Sequence, residues 1–128
     1  MRMLLDTHAL IWFVLNDSQL STTATAAISD PANDILISPA TYWEIAIKVA
    51  KGQLELFAPY DDFMARGIAG NDFEILPIEI RHTSLVTTLP FHHRDPFDRL
   101  LVAQALVEQI PIVSIDVALD PYGVTRLW

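Results

Sequence analysis

The sequence predicts a single α/β domain over residues 1–128, a central parallel β-sheet flanked by α-helices on both faces. Three observations predict it. Short continuous apolar runs, not alternating ones, mark strands buried on both sides. Segments of helical periodicity lie between them, so strands and helices alternate along the chain. The 128 residues are 52% hydrophobic and 19% charged, which supplies one core and excludes disorder.

The elements follow in order. Met3-Leu4-Leu5 is the first strand, closed by Asp6, and a helix begins near Thr7 on Ala9, Leu10, Trp12, Phe13 and Val14. Asn16 and Asp17 punctuate, and Ser21 to Ser29 reads as a short Ala/Thr-rich helix. After the turn Asp30-Pro31-Ala32-Asn33-Asp34, Ile35-Leu36-Ile37 is the second strand. Ser38-Pro39 opens a helix running to about Lys51, with Gly52 as its stop. Phe57 to Gly70 is a helix started near Pro59, Phe73 to Leu76 a third strand, and Ile78 to Thr87 a weakly signalled helix.

The next helix has the strongest entry signal. Asp95 suits the N-cap, Pro96 the first helical position, and Phe97, Leu100, Leu101, Ala105 and Leu106 recur at helical spacing to near Gln109. Ile110 to Ile115 contains the following strand, closed by Asp116. A helical turn at Val117-Ala118-Leu119 leads through Tyr122-Gly123 to an edge strand within Val124 to Trp128. No repeat, linker or low-complexity segment interrupts this alternation.

Composition excludes several classes. With no cysteine there is neither a disulfide framework nor a thiolate metal site. No apolar run approaches the roughly 20 residues of a membrane span. The N-terminus reaches Asp6 too soon for a signal peptide, so a soluble cytoplasmic protein is the expectation. Eight Lys and Arg stand against 16 Asp and Glu, a net charge of −8. That excess opposes tight binding to a phosphate backbone unless acids gather around a cation, which inverts the local field.

Four acids share one description. Asp6 and Asp116 end strands, and Glu44 and Asp98 lie in the opening turns of helices. In an open parallel sheet the carboxyl ends of the strands form the rim where ligands bind. Each acid has a bland alternative. Asp6, like Asp95, can cap a helix, acids favour a helix's first turn, and Glu44 can pair with Lys48 at i,i+4 along the polar strip it shares with Lys51. Gathered on one rim, however, four carboxylates repel unless protonated or bridged. Oxygen-only ligands point to Mg²⁺ or Mn²⁺. On the Ser38–Lys51 helix, Tyr42, Trp43, Ile45, Ile47 and Val49 fill an apolar arc of roughly 200°, wider than one core face needs. That width predicts a partner surface.

The sequence resembles PIN-domain proteins of the VapC type, the toxin half of a toxin–antitoxin pair. The resemblance rests on Leu4-Leu5-Asp6-Thr7-His8-Ala9-Leu10, on Ser38-Pro39-Ala40-Thr41-Tyr42-Trp43-Glu44-Ile45-Ala46-Ile47-Lys48, and on the segment from Arg94-Asp95-Pro96-Phe97-Asp98-Arg99 to Ala105. The tail from Ser114-Ile115-Asp116 to Tyr122-Gly123-Val124 also fits. It implies a metal-dependent endoribonuclease in which Asp6, Glu44, Asp98 and Asp116 correspond to the family's acidic quartet. Asp6 and Asp98 would hold Mg²⁺ (or Mn²⁺), with Glu44 and Asp116 assisting directly or through water. Hydrolysis by water would leave a 5′-phosphate and a 3′-hydroxyl.

Thr7 and Ser114 are candidates to orient these ligands from behind. Asp95 is assigned to capping, Arg94 and Arg99 are either RNA-phosphate contacts or solvated helix charges, and His92 and His93 read as a polar loop. The implied partners are RNA, a VapB-type antitoxin offering a basic side chain to the acidic pocket, and a second copy of the chain in a homodimer.

Two rivals use the same fold class. A doubly wound phosphatase or phosphotransferase would carry a second Asp two residues after Asp6, where His8 stands. A non-catalytic receiver-like switch would need an acceptor Asp after a middle strand, where Ser38-Pro39 stands.

Overall fold

The computed structural model describes residues 1–128. Five strands, β1 (Arg2–Leu5), β2 (Asp34–Ile37), β3 (Glu74–Ile75), β4 (Ile112–Val113) and β5 (Arg126–Leu127), form one sheet in the order β3-β2-β1-β4-β5. Every pairing is parallel. The helices are α1 (Thr7–Val14), α2 (Thr22–Ser29), α3 (Pro39–Ala50), α4 (Tyr60–Gly67), α5 (Ile80–Val86) and α6 (Pro96–Glu108).

The continuous apolar runs are explained by burial on both faces. Met3 and Leu5 of β1, with Ile35 and Ile37 of β2, pack into one layer with Leu10 and Ile11 of α1, Ile28 of α2 and Ile45 of α3. Leu4, Leu36 and Ile112 point the other way, onto Leu101, Val102 and Ala105 of α6. Burying each such side chain contributes about 1.5–3 kcal/mol, so this two-layer core dominates the fold's stability. No helix is long and apolar enough to cross a membrane.

The helix starts are set by side-chain caps. Asp6, Ser21, Ser38 and Asp95 accept backbone N–H groups in the first turns of α1, α2, α3 and α6, and proline follows the cap in α3 and α6. At the far end of α6, Gln109 takes the left-handed conformation at φ 56° that ends the helix. The expected 57–70 helix is shorter. α4 occupies Tyr60–Gly67, and Ala69–Asn71 forms a separate 3-10 turn. β3 shrinks to two exposed residues because it is an edge strand with one neighbour. The other edge, β5, is pinned by Arg126, which grips both carboxylate oxygens of Asp120 at 2.8 and 3.3 Å.

Between β1 and β4 the winding of the sheet reverses, since β2 and β3 lie to one side of β1 and β4 and β5 to the other. A crevice opens at such a reversal, beyond the carboxyl ends of the strands. Asp6 follows β1 there, and Asp116 lies just beyond β4.

Candidate metal centre

Asp6 leaves β1 buried, 5% exposed, with one oxygen already used. Its Oδ1 accepts the Ala9 N–H at 2.8 Å, so the capping role and a place at the crevice coexist on different oxygens. Burial pushes its carboxyl above the ordinary value, and Glu44 adds to the rise. The Ser114 hydroxyl, the Ala9 N–H and His8 oppose it.

Glu44 is the sixth residue of α3, a turn deeper than expected, and is not on a solvated strip. It is 7% exposed. Its Oε1 accepts from the Thr7 hydroxyl at 2.7 Å, and its Oε2 lies 3.1 Å from Lys48 Nζ. The i,i+4 pair therefore exists, but as one of two supports for a buried carboxylate. Thr41, also buried, places its hydroxyl 3.5 Å from that of Thr7.

Asp98 does not cap its helix. That work falls to Asp95, whose Oδ1 accepts the N–H of Phe97 at 2.8 Å and of Asp98 at 3.3 Å. The Asp98 carboxyl is raised to about 7, first by burial and then by Asp95, Asp6 and Glu44, with His93 acting against them. Acids so placed that one holds its proton to neutrality are a set that a bound cation would relieve.

Asp116 caps the 3-10 turn Val117–Tyr122 through Oδ1, which accepts the Ala118 N–H at 3.0 Å. Ser114 is buried, and its Oγ accepts the Asp116 N–H at 3.0 Å. It thus lies beside both strand-end acids.

His93, read from the sequence as a polar loop residue, is drawn into the cluster. Its Nε2 lies 2.9 Å from Asp116 Oδ2 and 3.3 Å from Asp98 Oδ2. Ligand atoms of these three residues fall within 4.8 Å of one another, whereas Asp6 and Glu44 stand outside that tight group. The sequence carried only a faint signal for this, a histidine two residues before the capping Asp95.

The two arginines separate. Arg94 is exposed on the loop before α6. Arg99 is buried, contrary to both readings offered for it. Its guanidinium donates to the carbonyls of Pro90 at 2.7 Å and Leu89 at 3.2 Å, and to Tyr122 Oη at 3.2 Å. The Phe91 ring covers it at 4.0 Å. A guanidinium spent on carbonyls inside the protein is neither solvated nor able to meet RNA phosphate. Sequence reasoning missed it because the loop that buries it carries no periodic pattern.

Beside the acids, Pro39, Ala40, Tyr42, Trp43, Ile78, Pro96, Phe97 and Leu100 line an apolar groove of about 480 Å³. Trp43 stands 62% exposed on its wall, edge-on to Phe97 at 5.3 Å. Here lies the outward part of the wide apolar arc on α3.

A doubly wound parallel sheet with buried carboxylates at its point of reversal defines a class, and sequence comparison defines the family. Residues 3–123 match the PIN domain model, and the chain belongs to the PIN domain family, a family of nucleases. No curated protein sequence matches it significantly. Among solved structures it is similar to a chain of VapBC2 from Rickettsia felis bound to a DNA fragment from their promoter. The TM-score is 0.71 at 13% identity, over 98% of this chain and 97% of that one. It is also similar to FitAcB from Neisseria gonorrhoeae, with TM-score 0.64 and 18% identity over 97% and 95% of the two chains. VapBC-1 from nontypeable Haemophilus influenzae gives 0.64 and 17% over 98% and 96%.

Proposed function

We propose that this protein is a Mg²⁺- or Mn²⁺-dependent endoribonuclease and the toxin of a toxin–antitoxin pair. The observation that carries the reading is the gathering of acids at the crevice, with Asp98 and Asp116 3.3 and 2.9 Å from one nitrogen of His93 and Asp6 and Glu44 buried near enough to raise the Asp98 carboxyl. Asp6 and Asp98 would hold the cation, with Glu44 and Asp116 contributing directly or through water. A bound cation would supply a water of lowered pKa and neutralise charge on the phosphate under attack. The chain's own part is placement. Thr7 and Lys48 fix Glu44, Ala9 and Ser114 fix Asp6, and Ala118 and His93 hold Asp116.

The antitoxin reading is supported by two features. The acids give a cationic side chain a place to enter, and the groove at Trp43 offers apolar surface beside it. The toxin–antitoxin character of the similar structures points the same way. A homodimer would use the same exposed wall of α3, and a cytoplasmic location suits a cysteine-free nuclease of this kind.

The test is cleavage of single-stranded RNA by the purified protein. Cutting in Mg²⁺ or Mn²⁺ that stops in EDTA and leaves 5′-phosphate ends is expected. Cleavage that persists in EDTA, or ends bearing 2′,3′-cyclic phosphate, would overturn the reading, because the latter needs attack by the RNA's own 2′-hydroxyl.

A further inference from the structure

We propose that His93 is a positioning residue of this centre, its Nε2–H fixing Asp116 beside Asp98 while the ring itself binds no metal. The inference rests on the cation site proposed above. It starts from the other ring nitrogen. His93 Nδ1 lies 3.1 Å from the backbone nitrogen of Asp95 and accepts its hydrogen. A backbone amide can only donate, so Nδ1 carries the lone pair and the ring proton resides on Nε2. That proton goes to Asp116 Oδ2 at 2.9 Å, and Asp98 Oδ2 lies 3.3 Å from the same nitrogen without a hydrogen bond. In this tautomer Nε2 has no lone pair for a cation.

The ring is also held from behind. Tyr122 Oη accepts the His93 backbone N–H at 2.9 Å and a hydrogen of Arg99 at 3.2 Å. The guanidinium ties down the Leu89 and Pro90 carbonyls of the same loop. The imidazole is therefore a placed donor.

Its effect is on the carboxylates. Both oxygens of Asp116 are taken, one by Ala118 and one by His93. Asp98 stands against the same nitrogen at 3.3 Å, so fixing Asp116 through His93 sets the spacing of the two acids. Donors that fix ligating carboxylates typically change metal affinity 10- to 100-fold when removed.

The experiment is calorimetric titration of Mn²⁺ into the full chain and into His93→Ala and His93→Gln. Long-range ¹H–¹⁵N NMR of the wild-type histidine rings accompanies it, with and without Mg²⁺. His93→Ala should weaken Mn²⁺ about tenfold or more. His93→Gln, whose amide N–H reaches the same place, should recover most of that loss, and the NMR should report the Nε2–H tautomer in both states. Unchanged Mn²⁺ affinity in His93→Ala overturns the inference, and so does tighter affinity, which would make the imidazole a competitor of the cation. A ring that loses its Nε2 proton on adding Mg²⁺ overturns it too, because His93 would then be a ligand. If the wild type takes up no Mn²⁺ at all, it is the cation reading that fails. The NMR needs no variant to fold, so it decides even if His93→Ala is unstable.

Discussion

The Thr7 hydroxyl donates to Glu44 Oε1 at 2.7 Å, tying the first residue of α1 to the second turn of α3. Both residues are buried, so the carboxylate has few other donors. Thr7→Val keeps the shape and removes the donor. It should lower stability by about 1.5–3 kcal/mol, the worth of a hydrogen bond to a charged group. That corresponds to a melting temperature lower by roughly 5–10 °C in EDTA. An equal loss of RNA cleavage and of stability is not expected; cleavage should fall further, because Glu44 would no longer be held in place.

Asp98 makes stability depend on pH in a defined direction. Its folded pKa of about 7 lies above the unfolded value of about 3.9, so the native state retains a proton that the unfolded chain releases. Its contribution is unfavourable. It is absent below about pH 4, grows as pH rises to about 7 and is constant above. Metal-free wild type should therefore lose stability over this window relative to Asp98→Asn, which has no such proton. Mn²⁺ must displace the proton, so its affinity should rise with pH and level off above about 7. Melting curves in EDTA at several pH values, for both proteins, check the sign.

Arg99 holds the loop that carries His93. Arg99→Met should cost about 2–4 kcal/mol by chemical denaturation, since several buried carbonyls lose their donor together. Arg99→Lys should recover little, because an ammonium cannot reproduce the planar fork. Hydrogen exchange should speed up across residues 87–94 in both variants and stay unchanged in the strands.

Trp43 should matter for association and not for folding. The residue is mostly exposed, and its ring stands edge-on to Phe97 at 5.3 Å. Trp43→Ala should leave the melting temperature within about 2 °C of wild type, as a surface substitution. Binding of a cognate antitoxin, or self-association measured by light scattering, should weaken at least tenfold. A strictly monomeric protein whose antitoxin affinity ignores the change would remove this role.

Much of the fold was legible because its signals are local. Met3-Leu4-Leu5 and Ile35-Leu36-Ile37 announce buried parallel strands, and Asp95-Pro96 announces α6 whatever surrounds it. The ends of α4 and β3 were not legible, since a strand edge depends on a neighbour the local sequence does not contain. At the site, Asp6, Asp98 and Asp116 could be placed from strand ends and helix starts. The depth of Glu44 could not, because its periodic position is polar and its burial comes from α1 packing over it. His93 and Arg99 were misjudged for a different reason. Their roles arise from an irregular loop folding back onto Tyr122, a contact separated by 29 residues in sequence for His93 and 23 for Arg99.

The central claim is that these acids are arranged for a cation. The most direct measurement is the melting temperature of wild type and Asp98→Asn in EDTA and in excess Mn²⁺. Binding at 100 times Kd stabilises by about 2.7 kcal/mol, so wild type should gain roughly 10 °C. Asp98→Asn, with its helix cap on Asp95 intact, should melt in EDTA at or above the wild-type temperature and gain little from Mn²⁺. If the variant instead melts several degrees lower in EDTA and keeps the full response to Mn²⁺, Asp98 is a structural acid and the cation binds elsewhere.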